Sequence, residues 1–572
     1  MTTEREKNKN NDGGTQSFVL NKAEVNNTLT DLVLRKELLS AAQKYADELI
    51  SLENNEAKIH VDELASGVAK FYEKVRKVID WNDDNVLRRN AIERILKRKL
   101  FPKLVSGTFK EDYSYELAKT VTEELIRGGH LANHQIPKSR IDSVSNVLKK
   151  YLYTLNYTVK YYGITDLKKG NMLITFLIEI AACEIEEVLV RPVKEYGIIE
   201  AMARIMNERI KVIPEDTVDP ETKLDLLRVS VQRKLYHLDR NYIVYMYLRR
   251  KYPNWRNFSR EELEWFAQNI ASIKETSEEY INSKIGKKFD EVIVQYSTVF
   301  VLFDDALESL RDNPETMVSA ISDKNLLLSI MQKKYNDRRS TLKTRLKNSA
   351  IFSTLSVILT NFVTFFLIEV PLARLFYEGF NVVATLIDFI LPACVMFLLI
   401  AFIKPPEEEN AQRVLKAGER LLFEGSGNYE AIEVDMEEKG SVFSKLFVNG
   451  FFAFSTVILF AFVGFVFYIG QLPMTSVVYD TFTMAMTFYA ALEVRRKSKE
   501  LYVEEKRTFK DFMFDAFTVP LAKVGGFLSS KWREYNVAAI FTNYLVEVPF
   551  TAMLNFIELW GNFLKDRKSE LD

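Results

Sequence analysis

Long segments without charged side chains constrain this chain more than any other feature. They are residues 350–367, 381–403, 446–469 and 475–492. The first and third hold no charged residue, and the other two hold one carboxylate each, Asp388 and Asp480. A helix that rises 1.5 Å per residue needs about 20 apolar residues to cross about 30 Å of hydrocarbon. The pattern therefore predicts four membrane-spanning helices arranged as two hairpins.

The positions of lysine and arginine predict how these hairpins are oriented. Basic clusters precede the first segment, with Arg338 and Arg339, and follow the fourth, with Arg495 and Arg496. The turn inside the first hairpin has one cation, Arg374, and the turn inside the second has none. Because cytoplasmic flanks carry the excess of Lys and Arg, both termini are expected in the cytoplasm. The polar start of the chain has no signal-peptide pattern, so the first span is expected to direct insertion.

The sequence ahead of the first span predicts a helical domain. Between Val19 and Asn348, apolar residues recur at helical spacing almost throughout. Helix starts are indicated by Asp219 before a proline and by Ser259 with Glu262, which together form a capping box. The last helix of this part is predicted to run from about Asp323 into the first span without a break.

The predicted fold class is all-α, with a large N-terminal cytoplasmic domain, a four-helix membrane region and C-terminal interfacial amphipathic helices. The predicted parts are a disordered tail (1–18), a cytoplasmic α-helical domain (19–348), hairpin 1 (349–403), a cytoplasmic loop (404–445), hairpin 2 (446–493) and a cytoplasmic or interfacial tail (494–572). In the loop, the alternation of Ile432, Val434 and Met436 permits a short strand pair. In the tail, residues 511–528 and 536–564 are apolar but interrupted, so we expect them on or in the cytoplasmic leaflet. Two further spans are the alternative.

Several stretches of the chain resemble a known family. They are IPKSRI at 136–141, EIAACEIEEVL at 179–189, RRSTLKTRLKNSAIFSTLSVILT at 338–360, PLAKVGGFLSSKW at 520–532 and LVEVPF at 545–550. Together they resemble a family of multi-pass helical membrane proteins from bacteria of very small genome, over most of the chain beyond residue 85. The resemblance implies a bacterial plasma (inner) membrane and a helical domain before the membrane region. It implies no activity, ligand or functional residue.

Composition and motifs argue against several function classes. The 77 basic and 78 acidic residues nearly cancel, which argues against a chain built throughout to neutralise phosphate. Two cysteines are too few for a disulfide scaffold or a cysteine-based metal site. The sequence has no phosphate-binding loop, no HExxH and no CxxC motif. We therefore expect no enzymatic activity, no cofactor and no metal.

Two side-chain pairs were weighed as metal ligands. His130 and His134 are four residues apart, but flanking glycines and a proline indicate a loop rather than a helix. Asp304 and Glu308 share one helical face, as in magnesium sites, but no second acidic cluster faces them in the sequence. Solvated acids next to an apolar helix are the preferred interpretation.

Polar residues in the predicted spans form a candidate intramembrane site. Asp388 and Asp480 occupy equivalent places in the two hairpins, and Asn361 in the first span could join them. Ionisable groups at membrane depth often mark ion or proton pathways. The alternative, which we favour, is helix–helix hydrogen bonding.

Basic residues form a second set of candidates, for contact with anionic lipid. They are Arg88, Arg89, Arg94, Lys97 and Arg98 in the domain, and Arg338, Arg339, Arg495 and Arg496 beside the spans. The alternative is the solvated face of a core helix, since Ile92, Ile95, Leu96 and Leu100 form an apolar stripe. The segment 233–258 mixes aromatic and basic residues, but nucleic acid is not an expected partner.

The sequence thus predicts a non-enzymatic membrane anchor or scaffold. Its expected partners are the lipid bilayer and an unidentified cytoplasmic protein. The alternative is a small channel or transporter that uses Asp388 and Asp480. No oligomeric state follows from the sequence.

Overall fold

The computed structural model describes most of the chain before residue 504 and two short pieces after it. The described residues are 33–51, 57–61, 84–106, 109, 113–162, 166–364, 366, 370–371, 382–401, 403–424, 431–436, 442–469, 474–503, 518–519 and 521–527. These residues are predominantly helical, which confirms the predicted all-α class. The predicted tail (1–18) and the segment 536–564 lie outside them.

The described residues form a succession of helices. In chain order they are α1 (Lys36–Ser51), α2 (Asp84–Ser106), α3 (Tyr113–Arg127), α4 (Ser139–Tyr162), α5 (Leu167–Val190), α6 (Val193–Arg209), α7 (Pro220–Lys234), α8 (Arg240–Lys251), α9 (Arg260–Ile281), α10 (Lys284–Ser309), α11 (Pro314–Ser322), α12 (Lys324–Thr364), α13 (Val382–Ala401), α14 (Glu409–Leu422), α15 (Val442–Ile469) and α16 (Met474–Ser498). The predicted starts of α7 and α9 are confirmed: Asp219 accepts the backbone N–H of Thr222, and Ser259 with Glu262 forms the capping box.

Two hydrophobic cores organise the described helices outside the apolar segments. In the first core, α2, α3, α4, α5, α8 and α9 pack together, and the predicted stripe of α2 is buried there. In the second core, α1, α6, α7, α10, α11, α12 and α14 pack together. Helix α5 belongs to the first core and α6 to the second, so the short connection at Arg191 and Pro192 joins the two.

Within the described residues, four short strands accompany the helices. Strands β1 (Val33–Leu34) and β3 (Phe423–Glu424) pair antiparallel, and β2 (Ile210–Ile213) and β4 (Ile432–Asp435) pair parallel. The strand expected at Ile432 is therefore present, but the expectation that its partner lies in the same loop is wrong. In β2 the residues are alternately buried and exposed, but four residues are too few to stand out in a helical sequence.

Helix α12 extends from one of these cores into the first apolar segment, and the predicted continuous helix is present over 41 residues. In its first half, Tyr335 and Leu342 are at most 2% exposed and belong to the second core. In its second half, Phe352, Leu355 and Leu359 are each more than half exposed. One rigid element thus carries a packed half and an apolar exposed half.

The loop between the two predicted hairpins packs against the helical domain. Helix α14 contacts α10 and α12. The side-chain amide of Asn410 donates to Tyr335 Oη (2.9 Å) and to the backbone carbonyl of Leu501 (2.8 Å). The hydroxyl of Thr298 on α10 donates to the carbonyls of Glu500 and Tyr502 at 3.1 and 3.2 Å. The segments before and after the second predicted hairpin are therefore both attached to the same domain.

The apolar segments themselves are helical where they are described, in α12, α13, α15 and α16. Among the described residues, no helix combines the length and the apolarity that crossing a membrane requires. Residues 521–527 are helical and pack on α16: a Cβ added at Gly525 would lie 2.2 Å from the carbonyl oxygen of Ala485. Ala485 precedes Arg495 by ten residues, or about 15 Å along a helix.

We predict that Asn410→Ala lowers the free energy of unfolding by about 1–3 kcal/mol, because it leaves the buried Leu501 carbonyl and Tyr335 hydroxyl without this donor. Thermal melting of the detergent-solubilised chain measures the loss. Gln412→Ala is the matched control, since Gln412 is an exposed amide on the same helix. Equal melting temperatures for the two variants would contradict the attachment described above.

Candidate functional site

Helix α5 carries three carboxylates inside the first core, and each is met by donors. The Nζ of Lys150 lies 3.0 and 2.9 Å from the two carboxylate oxygens of Glu184. Tyr151 Oη and Trp255 Nε1 donate to the same carboxylate at 2.7 and 2.8 Å. The Glu184 side chain is 1% exposed. A buried charge of this kind is tolerated only when it is paired and hydrogen-bonded, so we assign the group a structural role.

The next two acids of α5, Glu186 and Glu187, are also paired with donors. Glu187 accepts from Tyr245, Arg249 and Arg256. Glu186 accepts from Arg89 at 2.7 Å, and burial raises the pKa of Glu186 despite that arginine. Arg89 also reaches Asp239 at 2.5 Å and lies over the ring of Tyr242, 4.6 Å from its centroid. The three acids therefore fix α5 to α2, α4 and α8.

A cavity of about 380 Å³ lies where the two cores meet, and we call it the inter-core cavity. Its walls include the end of α5, the start of α6, and residues of α1, α2 and α10. Arg191, at the connection of α5 and α6, has a left-handed backbone with φ of 40°. A non-glycine residue in that region is uncommon and is held by its surroundings. The connection thus places Arg191 and Lys194 beside the same space.

Lys194 lies between two acids of α10 on one side of the inter-core cavity. Its Nζ is 3.3 Å from Asp304 and 2.9 Å from Glu308. Burial lowers the pKa of Lys194, but Asp304 and Glu308 outweigh it and raise that pKa above its ordinary value. Tyr236 and Tyr45 donate to Asp304 and Glu308. Burial and the carboxylate of Glu308 raise the pKa of Tyr45 to about 12.

This pairing changes the interpretation of the acidic stretch at 304–308. A solvated acidic face was expected, but Asp304 is largely buried and its carboxylate contacts Lys194. The structure does not support a magnesium site at Asp304 and Glu308, because the Nζ of Lys194 lies between the two carboxylates. The neighbouring Asp305 pairs with Arg338 on α12, at 2.8 Å. One turn of α10 therefore links the cavity wall to the helix that leads into the apolar region.

A second cavity of about 380 Å³ surrounds Glu179 on α5, and we call it the Glu179 pocket. Burial, together with the charge of Glu93, raises the pKa of Glu179 to about 7, although Lys97, Arg240 and Lys274 oppose the shift. Arg240 and Lys274 are instead paired with Glu278, at 2.6 and 2.5 Å. The pocket therefore holds a carboxyl group that can exchange its proton near neutral pH.

The candidate basic residues lie in different environments. Arg89 is buried in its ion pairs and is therefore not part of an exposed face. Arg88 lines the inter-core cavity. On the surface of α2, Lys97 pairs with Glu93 and Arg98 with Glu124, while Arg94 lies on the same helix.

The basic residues beside the apolar segments form two groups. On α12, Arg338 pairs with Asp305, and Arg339 donates to the carbonyl of Pro406 at 2.8 Å. At the end of α16, Arg496 lies 3.5 Å from Glu493, and Arg495 precedes it. The two on α12 thus hold other segments of the domain, and a lipid-surface role for this set stays a prediction.

The candidate intramembrane residues are not brought together by any described contact. Asp388 lies on α13 and Asp480 on α16, and only their backbone is described. Asn361 is 4% exposed in the apolar half of α12. A cation or proton site at these positions stays a prediction.

His130 and His134, whose spacing could suit a metal ion, make separate contacts in the structure. His134 stacks on His60, with the Nε2 of His134 3.0 Å from the Nδ1 of His60. The backbone carbonyl of His130 instead accepts from Arg88 at 3.1 Å. Within the described ranges, no group of three potential metal ligands occurs.

The sequence pattern did not identify Lys194 or the buried acids Glu184, Glu186 and Glu187 of α5 as members of a site. A signal was available: Glu184, Glu186 and Glu187 interrupt a run that is otherwise apolar, and charges in such a run need partners. The partners come from segments up to 98 positions away, such as Arg88 for Glu186. Their identity could not be read from local spacing.

We predict that Glu179→Gln changes how stability depends on pH. A carboxyl group whose pKa is raised in the folded state binds protons more tightly there, so its contribution to the free energy of unfolding falls as pH rises from about 4.5 to 7. The variant should gain stability relative to the wild type between pH 5 and pH 8, on the order of 1–3 kcal/mol. Melting curves across that range measure it.

Glu275→Gln, at an exposed carboxylate of α9, controls for the loss of one charge. A difference between Glu179→Gln and the wild type that stays constant across the pH range would contradict the raised pKa of Glu179.

Comparison of the chain with protein families, with curated proteins and with solved structures finds no match. The function proposed below therefore depends on the chain's own residues.

Proposed function

We propose that the chain is a non-enzymatic membrane anchor that holds a helical cytoplasmic module at a bacterial plasma membrane and presents it to a protein partner. The observation that carries the proposal is the division of α12 into a packed polar half and an exposed apolar half. The two halves belong to one continuous helix, so the exposed half cannot fold back into the core that buries the packed half. The exposed half therefore needs a separate apolar environment.

The exposed apolar surface continues onto the other helices of this region. On α15, Phe454, Phe462 and Phe465 are 64%, 63% and 57% exposed, and Tyr468 near its end is 70% exposed. Monomeric soluble proteins rarely expose contiguous apolar patches of more than a few hundred Å². A charge-free sequence and an exposed apolar surface coincide here, which supports insertion into lipid.

The attachment of the connecting segments supports the predicted two-hairpin topology. Residues 403–424 and 431–436 contact the helical domain between the two apolar pairs, and residues 499–503 contact it after the second pair. Each apolar pair therefore begins and ends beside the same domain. An even number of crossings for each apolar pair is compatible with this arrangement. The excess of basic residues on that side supports a cytoplasmic location for it.

Residues 521–527 refine the proposal for the C-terminal tail. They contact Ala485 and Tyr489 on α16. Along the helix, Ala485 lies about 15 Å before Arg495 and Tyr489 about 9 Å before it. If Arg495 marks the headgroup level, the segment dips into the bilayer rather than lying flat on it. The dipping form of the interfacial tail is therefore the one we propose.

We predict that the full-length chain stays with membranes during extraction with alkaline carbonate and is released by detergent. Leu359→Asp should increase the carbonate-released fraction several-fold, because an aspartate near the centre of a membrane helix costs about 2.5–3.5 kcal/mol. Leu359 is 61% exposed, so the substitution disturbs little packing within the chain.

The matched control is Leu326→Asp, on the packed half of the same helix, where the side chain is 43% exposed. It should leave the released fraction unchanged. Complete release of the wild-type chain by carbonate would reject the membrane anchor, and equal effects of the two variants would reject the division of α12.

The scaffold part of the proposal has a separate test. Crosslinking in native membranes followed by purification should recover one cytoplasmic protein with the full-length chain. If no partner is recovered while the chain remains in the membrane, the proposed presentation role is rejected and only the anchor remains.

A further inference from the structure

The inter-core cavity has the size and position of a small-molecule site. Its volume of about 380 Å³ falls in the range of ligand pockets. It lies between two separate hydrophobic cores, and such boundaries are a common place for binding sites. The membrane anchor proposed above plays no part in this argument.

Positive charge exceeds negative charge on the walls of the cavity. Among the described residues, six cations and four carboxylates line it: Arg88, Arg89, Arg140, Arg191, Lys194 and Arg311, against Glu48, Glu186, Glu195 and Glu308. An anionic ligand is therefore favoured over a cationic one.

Two arginines of the cavity wall, Arg191 and Arg88, keep donor capacity. Arg191 reaches its acid, Glu48, only at 3.6 Å, and Arg88 reaches Glu186 only at 3.5 Å. Good charge-assisted hydrogen bonds measure about 2.7–2.9 Å. These two guanidinium groups can therefore donate to an acceptor inside the cavity.

The remaining walls suit an organic body rather than a bare ion. Tyr196 and Tyr242 meet through their hydroxyl groups at 2.7 Å, and Tyr45 and Tyr236 also line the space. Apolar side chains such as Leu189 complete it. Arginine forks recognise the oxygens of a phosphate group, and tyrosines contact a ring or sugar.

We propose that the inter-core cavity binds a small phosphate monoester, with Arg88 and Arg191 holding the phosphate group. Calorimetric titration of the full-length chain in detergent tests this with adenosine 5′-monophosphate and ribose 5-phosphate as probes. Saturable one-to-one binding is expected for at least one of the two probes, weakened by added salt, and uncharged adenosine should not bind.

Substitution of the arginines locates the binding. Arg88→Gln and Arg191→Asn should each raise the Kd at least tenfold; asparagine is chosen because it tolerates the left-handed backbone at that position. Arg204→Gln is the control, on α6 but away from the cavity and paired with Glu200. It should leave the Kd unchanged, and melting curves establish that each variant is folded.

Two results would overturn the proposal: no saturable binding of either monoester at millimolar concentration, or binding that both cavity variants leave intact. The source of the phosphate group is distinguished with nanodiscs. Phosphatidic acid in the nanodisc would compete with the soluble probe if the natural ligand is a lipid headgroup. Undiminished binding of the probe would assign the cavity to a soluble ester.

Discussion

The organisation of this chain depends on one constraint: the two halves of α12 require different environments and cannot be separated. Tyr335 and Leu342 are packed in the second core, while Leu355 and Leu359, on the same helix, are more than half exposed. Burial of apolar surface contributes about 25 cal/mol per Å², so a surface of this kind strongly favours transfer out of water. Because α12 is one continuous helix, the distance between the helical domain and the environment of the apolar half is fixed.

The contacts of the connecting segments extend this constraint to the rest of the apolar region. Asn410 joins α14, α12 and residue 501, and β4 pairs with β2 of the domain. The described segments 403–424, 431–436 and 499–503 are therefore held on one body. Asp305 and Arg338 connect that body to the wall of the inter-core cavity, because Asp304 beside them contacts Lys194. One turn of α10 therefore contacts both Lys194 at the cavity wall and Arg338 on α12.

Patterns with a local physical cause could be predicted from the sequence. The capping aspartate of α7, the capping box of α9 and the buried stripe of α2 depend on neighbouring residues only. The partner of β4, the pairing of Lys194 with Asp304 and Glu308, and the cavity between the cores depend on residues brought together by the tertiary fold. Arg89 shows the same limit. Its charge suggested a position on the protein surface, but its ion pair with Glu186, 97 positions away in the sequence, holds it in the interior.

The most direct test of the account is the accessibility of spin labels along α12. Single labels at Lys343, Leu355 and Phe362, all exposed on this one helix, would be compared in lipid vesicles for collision with oxygen and with a water-soluble nickel complex. The account predicts that the label at position 343 meets the nickel complex, whereas those at 355 and 362 meet oxygen and are shielded from nickel. Equal access of the nickel complex to all three positions would contradict it.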